Sequence, residues 1–207
     1  MNRNRWVTAA LVCTALAGAG LLRRANADAS DEIKRLAALM DWKPETIVAD
    51  IGAGDGSYAF VAAQLVSGSG KVFATEIDQE KLASLRSDVA KRHLANVIIV
   101  ESKEADTNLP AECCDAIFLR RVYHHLTKPS EFDAALRRSL KPGGKLAIID
   151  FQPRSGLDPV EGVPANRGGH GIPQKVVIEE LTSTGLQLVK TMNDWPSNDY
   201  CVLFVKK

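Results

Sequence analysis

The sequence predicts an α/β fold with a doubly wound, mostly parallel sheet of seven strands that ends in a C-terminal antiparallel hairpin. Two observations support this prediction. From residue 46 to residue 184, short apolar runs alternate with stretches of helical period, which is typical of parallel strands joined by helices. After Gly185, two apolar runs follow one another with only a short turn between them, and such runs pair antiparallel.

Local signals define each element in chain order. Residues 31–42 place apolar side chains on one helix face, and Pro44 ends that helix. Asp78 is placed to cap the third helix, and Gly185 ends the last one. The predicted strands are 46–51, 72–76, 97–100, 115–119, 146–151, 186–192 and 200–205. The predicted helices after the first are 57–66, 79–93, 130–140 and 173–184.

The composition excludes several classes of protein. With 207 residues, of which 45% are apolar, the chain has enough material for one well-packed domain. Its 26 basic and 25 acidic residues are mixed along the sequence. We therefore expect no nucleic-acid partner, because such a partner requires a basic face. The four cysteines show neither a disulfide framework nor zinc-ligand spacing, so no metal site is predicted. We also expect a monomer.

The most informative segment is the turn after the first predicted strand. An apolar run ends in Asp50, and the chain then turns through Gly52, Gly54 and Gly56 before a helix begins. Glycines in such a turn let the backbone adopt positive φ angles and approach a ligand closely. At the end of the next strand, Glu76 is placed to accept hydrogen bonds from ribose hydroxyls.

With these residues the chain resembles the class I S-adenosylmethionine-dependent methyltransferases, a Rossmann-like family whose members methylate small molecules, lipids and quinones. Three further segments agree with the family pattern: 109–119 resembles its fourth strand, 123–126 the following loop, and 140–150 the turn into its fifth strand. The resemblance implies a methyltransferase domain over 28–207 with S-adenosyl-L-methionine as its cofactor. It also implies methyl transfer to a small-molecule or lipid-like acceptor.

Two alternative functions stay open from the sequence. One is a catalytically degenerate protein that binds S-adenosylmethionine without methyl transfer. The other is an oxidoreductase with a nucleotide cofactor. A dinucleotide-binding loop would have Gly or Ala where this chain has Ser57, and the terminal hairpin also disfavours the oxidoreductase.

The resemblance implies roles for the residues of the cofactor loop. Asp50 would hold the methionine ammonium group, directly or through water. Gly52, Gly54 and Gly56 would let the loop approach the methionine and ribose parts. Glu76 would bind both ribose hydroxyls.

Two further loops carry predicted site residues. The adenine amino group would meet an acidic or polar residue in the loop 102–106, where Asp106 is preferred over Glu104. The loop after the fourth strand lies near the transferable methyl group in this family. Tyr123 and His124 in that loop are predicted catalytic residues, with a structural role as the alternative for each, whereas His125 is expected to pack under the cofactor.

The Gly- and Pro-rich stretch 152–172 follows the fifth strand. A loop of this length is predicted to contribute to the acceptor site, with disorder as the alternative. His170 in this loop is the third predicted catalytic residue, and a solvated surface histidine is the alternative. Asp150, at the end of the strand, is expected to bind a hydroxyl or to orient a histidine.

The N-terminal residues 1–27 are predicted to be a secretory signal peptide or a membrane anchor. Arg3 and Arg5 precede an apolar run over 6–22, and an Ala-Asn-Ala site ends before Asp28. The run is at the lower limit for crossing a bilayer, so membrane association through 6–22 is an expectation. Because S-adenosylmethionine is made in the cytosol, a tether that faces the cytosol is favoured over export.

Overall fold

The computed structural model describes residues 30–207. The predicted signal peptide or anchor, including the apolar run at 6–22, lies outside the described residues. Within 30–207, none of the helices combines the length and the apolar character that a bilayer span requires.

Seven strands form one sheet. They are β1 (Ile47–Ile51), β2 (Lys71–Glu76), β3 (Val97–Glu101), β4 (Cys114–Arg120), β5 (Leu140–Asp150), β6 (Gln187–Trp195) and β7 (Asp199–Val205). Their order across the sheet is β3-β2-β1-β4-β5-β7-β6. The first five strands pair parallel, and β7 lies antiparallel between β5 and β6. The predicted mostly parallel sheet with a C-terminal antiparallel hairpin is therefore confirmed.

Helices cover both faces of this sheet. They are α1 (30–39), α2 (Ser57–Leu65), α3 (Gln79–Lys91), α4 (Pro129–Ser139) and α5 (Gln174–Ser183). The chain also makes short 3₁₀ turns at Tyr123–His125, Ala165–Arg167 and Pro196–Asn198. The predicted cap of α3 is confirmed, because the Asp78 side chain accepts a hydrogen bond from the Lys81 backbone N–H at 3.0 Å.

The core consists of two apolar layers, one on each face of the sheet. Successive residues of β5 alternate between the layers, with Ala147 and Ile149 on one face and Ile148 on the other. Helices α1, α2 and α3 pack on the first face, while α4 and α5 pack on the second. Burying one side chain of isoleucine size stabilises a fold by roughly 1.5–3 kcal/mol, so the alternation fixes which face each helix covers.

Strand β5 begins at Leu140, earlier than the predicted start at residue 146. Its register against β4 shifts from the Cys114–Leu140 pair to the Ala116–Lys145 pair. The intervening residues bulge, with Gly143 at a φ of 78°. The Gly143 N–H donates to the Lys206 carbonyl at 2.7 Å, so the glycines that resemble a turn form a bulge bonded to the chain end.

Candidate active site

A cavity of about 530 Å³ opens at the carboxyl ends of β1, β2 and β4. Its lining residues are Ile51, Gly52, Gly54, Glu76, Ile77, Lys81, Ser102, Lys103, Glu104, Arg120, Arg121, Val122, His125, Leu126, Thr127 and Phe132. Open α/β sheets bind ligands at this edge of the sheet, and the volume falls in the range of small-molecule sites.

The glycine turn forms one wall of the cavity. Gly52, Gly54 and Gly56 have φ angles of 70°, 59° and 78°, which residues other than glycine rarely adopt. A Cβ atom on Gly54 would meet nothing within 4 Å, whereas one on Gly56 would lie 2.4 Å from the Phe60 ring. Gly54 therefore borders open space, and Gly56 is required by packing against α2.

Glu76 is fixed beside this turn. Its Oε2 atom accepts a hydrogen bond from the Gly54 N–H at 3.0 Å. Its Oε1 atom accepts from the N–H groups of Ile77 and Asp78 at 2.8 and 3.2 Å. The residue is only 5% exposed, yet it lines the cavity. Three backbone donors thus orient this carboxylate and occupy three of its roughly four acceptor sites, which leaves one site, on Oε2, for a ligand.

Asp50 lies at the end of β1, beneath the turn and outside the cavity lining. It is buried, and within the described part of the chain its Oδ2 atom has no hydrogen-bond partner. Burial, reinforced by the charge of Asp55, raises the pKa of Asp50 from 3.8 to about 8. A buried carboxyl oxygen without a partner is costly, and a cationic ligand group would relieve that cost.

The predicted adenine contact is placed differently. The Asp106 Oδ1 atom accepts hydrogen bonds from the Asn108 N–H at 2.8 Å and from Arg138 at 2.7 Å, and Asp106 does not line the cavity. Ser102 and Glu104 in the same loop do line it. Because Asp106 closes its own turn and pairs with α4, the geometry favours Glu104, the alternative acid.

A histidine–aspartate pair lies beyond the end of β4. The His124 Nδ1 atom is 2.8 Å from Asp150 Oδ1, and the His124 backbone N–H donates to Asp150 Oδ2 at 3.1 Å. The Phe151 N–H also donates to Asp150, at 2.9 Å. Both members of the pair are buried, and among the described residues His124 Nε2 has no hydrogen-bond partner.

Three other rings surround His124. The ring centroids of His125, Phe151 and His170 lie 4.0, 4.8 and 5.5 Å from that of His124. His170 is held within its own loop, where its Nδ1 atom lies 3.0 Å from the Asp158 carbonyl oxygen. The fold thus brings together two of the predicted catalytic residues, His124 and His170, while His125 lines the cavity.

Tyr123 is turned into the core instead. Its hydroxyl oxygen lies 2.9 Å from Asp133 Oδ2 and 2.9 Å from Glu180 Oε2, and the side chain is fully buried. A hydroxyl has a single proton, so one of these carboxyls must be protonated for both bonds to form. Burial raises the pKa of Asp133 to about 7, which suits that role. The geometry favours the structural alternative for Tyr123.

Arg167 extends this buried cluster. It donates to Glu180 at 2.9 Å and to the carbonyls of Leu126 and Tyr123 at 2.9 and 3.1 Å. At 1% exposure, it attaches the loop 152–172 to α5 and to the turn after β4. The loop therefore has a fixed anchor next to the turn that carries His124 and His125.

Sequence reasoning assigned no role to Glu32 or to Arg120. Glu32 is 4% exposed and accepts two hydrogen bonds from Arg120, a residue that lines the cavity. The signal was present in α1, where Glu32 precedes Leu36 and Met40 at intervals of four residues. An acid in line with buried apolar residues on a helix indicates a buried polar partner.

Comparisons with known proteins agree with this geometry. Residues 49–148 match a family model described as a methyltransferase domain. The ubiquinone/menaquinone biosynthesis C-methyltransferase UbiE of Marinomonas sp. is 29% identical over 128 residues, covering 56% of this chain and 51% of that protein. An uncharacterized 37.1 kDa protein in transposon TN4556 of Streptomyces fradiae is 32% identical over 112 residues, covering 53% of this chain and 31% of that protein. The chain thus spans about half or less of these curated relatives.

Solved structures extend the likeness across the fold. A SAM dependent methyltransferase from Aquifex aeolicus superimposes with a TM-score of 0.71 at 26% identity, covering 84% of this chain and 89% of that chain. The (4+2)-cyclase SpnF has the same TM-score of 0.71 at 16% identity, covering 86% of this chain and 81% of that chain. The second likeness shows the fold alone. Since one fold can serve different reactions, the reaction has to be argued from the site.

Proposed function

Because the chain belongs to the class I S-adenosylmethionine-dependent methyltransferases, we propose that it transfers a methyl group from S-adenosylmethionine to a small-molecule or lipid-like acceptor. The Glu76 carboxylate is the observation on which the proposal chiefly rests. Three backbone N–H groups hold it at the cavity wall beside Gly54. The acceptor site that remains on Oε2 is prepared to accept a hydrogen bond from a ribose hydroxyl.

The rest of the site fits the other parts of the cofactor. The open space next to Gly54 admits a ligand close to the backbone. The Asp50 oxygen that has no hydrogen-bond partner within residues 30–207 suits an ammonium group, and ionisation of this carboxyl would accompany its binding. Ser102 and Glu104 line the cavity beyond Glu76, where an adenine attached to the bound ribose would lie.

The acceptor chemistry rests on the His124–Asp150 pair. When bound, S-adenosylmethionine supplies an electrophilic methyl group on a sulfonium sulfur. Asp150 holds the His124 ring through Nδ1, which leaves Nε2 to take a proton from the acceptor. Because Nε2 is buried, the acceptor has to enter among the rings around His124 to reach this atom. This arrangement suits an acceptor that must lose a proton, such as a hydroxyl group or an activated carbon.

Two observations favour an aromatic or quinol-like acceptor within that class. The rings of His125, Phe151 and His170 surround His124, and flat rings offer stacking surfaces to another flat ring. The curated relatives named UbiE are C-methyltransferases of ubiquinone/menaquinone biosynthesis. A quinol ring carries both a hydroxyl group and a carbon that becomes nucleophilic when that hydroxyl loses its proton.

Calorimetric titration with S-adenosylmethionine tests the cofactor assignment. We expect micromolar binding of S-adenosylmethionine and none of NAD. Glu76→Gln removes a charged acceptor and should weaken binding roughly 10-fold or more, whereas Glu45→Gln, at an exposed position, should not change it. Equal binding by both variants would refute the assigned ribose site, and binding of NAD alone would support the oxidoreductase alternative.

Transfer of a labelled methyl group tests the reaction itself. The protein is incubated with methyl-labelled S-adenosylmethionine and with hydroquinones, phenols or a lipid extract. We expect organic-extractable label that is lost in His124→Gln while cofactor binding persists. Cofactor binding without labelled product from any of these acceptors would instead favour the degenerate cofactor-binding protein.

A further inference from the structure

Arg120 is the last residue of β4 and lines the cavity. Its Nε atom donates to both carboxylate oxygens of Glu32, each at 3.1 Å. Its guanidinium group lies 4.9 Å from the centre of the Tyr58 ring. These contacts restrain the side chain from two sides, so its charge occupies a defined position at the cavity wall.

Glu32 is itself fixed by partners from distant parts of the chain. The Tyr58 hydroxyl donates to Glu32 Oε2 at 2.7 Å, and the Trp195 Nε1–H donates to Glu32 Oε1 at 2.7 Å. The carboxylate is buried, so its charge is balanced by Arg120 and by two neutral donors. The network joins α1, α2 and the end of β6 to one residue of the cavity.

The binding capacity of Arg120 is not exhausted by this network. Glu32 uses only the Nε atom, and within residues 30–207 the two Nη nitrogens have no hydrogen-bond partner. Arg121, the next residue, differs because its guanidinium donates from Nε and Nη2 to both oxygens of Asp199, at 2.7 and 2.9 Å. Arg120 therefore presents free donors in the geometry that binds a carboxylate.

Asp50 provides the second half of the argument. The positive charge of Arg120 partly offsets the burial that raises the pKa of Asp50, so the two groups are near enough to interact. Asp50 has an oxygen without a partner among the described residues, and Arg120 has free N–H donors. A carboxyl group that can ionise on ligand binding and a guanidinium group within electrostatic reach of it together complement a zwitterion, namely the ammonium and carboxylate of an α-amino acid.

We infer that Arg120 binds the carboxylate of the methionine part of the cofactor, and that Glu32 acts as the positioning residue for Arg120. This inference rests on the proposed function. It makes α1 part of the cofactor site, because α1 supplies the acid that orients the carboxylate-binding group. Recognition of the amino-acid part of the ligand thus depends on the docking of α1 against Tyr58 and Trp195.

Two ligands that share the adenosine group separate this inference from the proposed function. S-adenosylhomocysteine has the amino-acid part, and 5′-methylthioadenosine lacks it. Calorimetric titration measures both affinities in the full chain and in the variants Arg120→Gln, Arg120→Lys and Glu32→Gln. Arg86→Gln, at an exposed position on α3, is the matched control.

For Arg120→Gln we expect affinity for S-adenosylhomocysteine to fall roughly 10- to 100-fold, the effect of losing hydrogen bonds to a charged group, with affinity for 5′-methylthioadenosine within about 2-fold. Arg120→Lys should lose less, because a lysine keeps the charge without the paired donors. Glu32→Gln should likewise lower the affinity for S-adenosylhomocysteine relative to that for 5′-methylthioadenosine. Unchanged 5′-methylthioadenosine binding shows in each case that the variant is folded.

Equal losses for both ligands, or no loss for either, would overturn the inference and leave the proposed function intact. Failure of the unmodified protein to bind either ligand would overturn the proposed function, and the inference with it. The inference would also be overturned if the control Arg86→Gln lost affinity for S-adenosylhomocysteine alone, because the effect would then be one of net charge.

Discussion

The Nδ1 atom of His124 lies 2.8 Å from Asp150 Oδ1, and both side chains are buried. Asp150 also accepts the backbone N–H of His124, so the carboxylate fixes both the ring and the start of the turn after β4. A carboxylate that accepts from Nδ1 selects the tautomer in which Nε2 is the proton acceptor. The structural relationship therefore determines which nitrogen is available for chemistry.

The first prediction concerns this tautomer. Long-range ¹H–¹⁵N NMR of the ring should show the proton of His124 on Nδ1 with Nε2 unprotonated when the ring is neutral. Asp150→Asn should disturb this preference and lower methyl transfer without a matching loss of cofactor affinity. A proton found on Nε2 in the unmodified protein would contradict the assignment of Nε2 as the base.

Tyr123→Phe separates a structural role from a catalytic one. The change removes the hydroxyl that contacts Asp133 and Glu180. We expect the free energy of unfolding to fall by roughly 1–3 kcal/mol, because buried acceptors lose their donor. Thermal and denaturant unfolding measure this effect. Methyl transfer should persist in the folded variant, and its abolition at unchanged stability would restore the catalytic role.

Two glycine variants distinguish ligand contact from packing. In Gly54→Ala the new methyl group enters open space beside the cavity, whereas in Gly56→Ala it lies 2.4 Å from the Phe60 ring. Both variants carry the backbone cost of a positive φ, about 1 kcal/mol. We therefore expect Gly54→Ala to reduce cofactor affinity more than stability, and Gly56→Ala to show the larger loss of stability.

Calorimetry and thermal unfolding on this pair give the comparison directly. If one of the two variants showed the larger loss both of cofactor affinity and of stability, the distinction between ligand contact and packing would be contradicted.

Asp50→Asn tests the buried acid through pH. The pKa of Asp50 is raised from 3.8 to about 8, so the folded protein keeps a proton that the unfolded chain loses between these values. The contribution of Asp50 to stability is therefore full at low pH and is lost as the pH rises towards 8. The asparagine of Asp50→Asn has no titratable carboxyl group, so the variant lacks this pH-dependent contribution to stability.

The melting temperature of the unliganded variant should accordingly rise relative to that of the unmodified protein as the pH increases from 5 to 8. Its affinity for S-adenosylmethionine should be lower, because the carboxylate for the ammonium group is gone. Parallel melting curves at all pH values would show that Asp50 does not titrate in this window.

Much of the site followed from local sequence, and some of it did not. The positions of Asp50 and Glu76 follow from the ends of the short apolar runs that form β1 and β2, because the turns begin where these buried runs end. The loop after β3 was predictable as a segment, but the choice between Asp106 and Glu104 was not. That choice depends on Arg138 of α4, which pairs with Asp106 and is distant in sequence.

The alternation of apolar runs by itself determined the α/β sheet, its terminal hairpin and the glycine turn, because these depend on neighbours within a few residues. Tertiary structure alone decided the partners of the buried polar groups. Glu32 meets Arg120 across 88 residues and Trp195 across 163 residues, and no local period encodes such meetings. Tyr123 and His124 show the consequence, because they are adjacent in sequence but lie in different surroundings. The Tyr123 hydroxyl contacts two buried carboxyls in a structural role, whereas the His124 ring lies at the proposed acceptor site. Burial sorts each polar side chain to the partner that satisfies it.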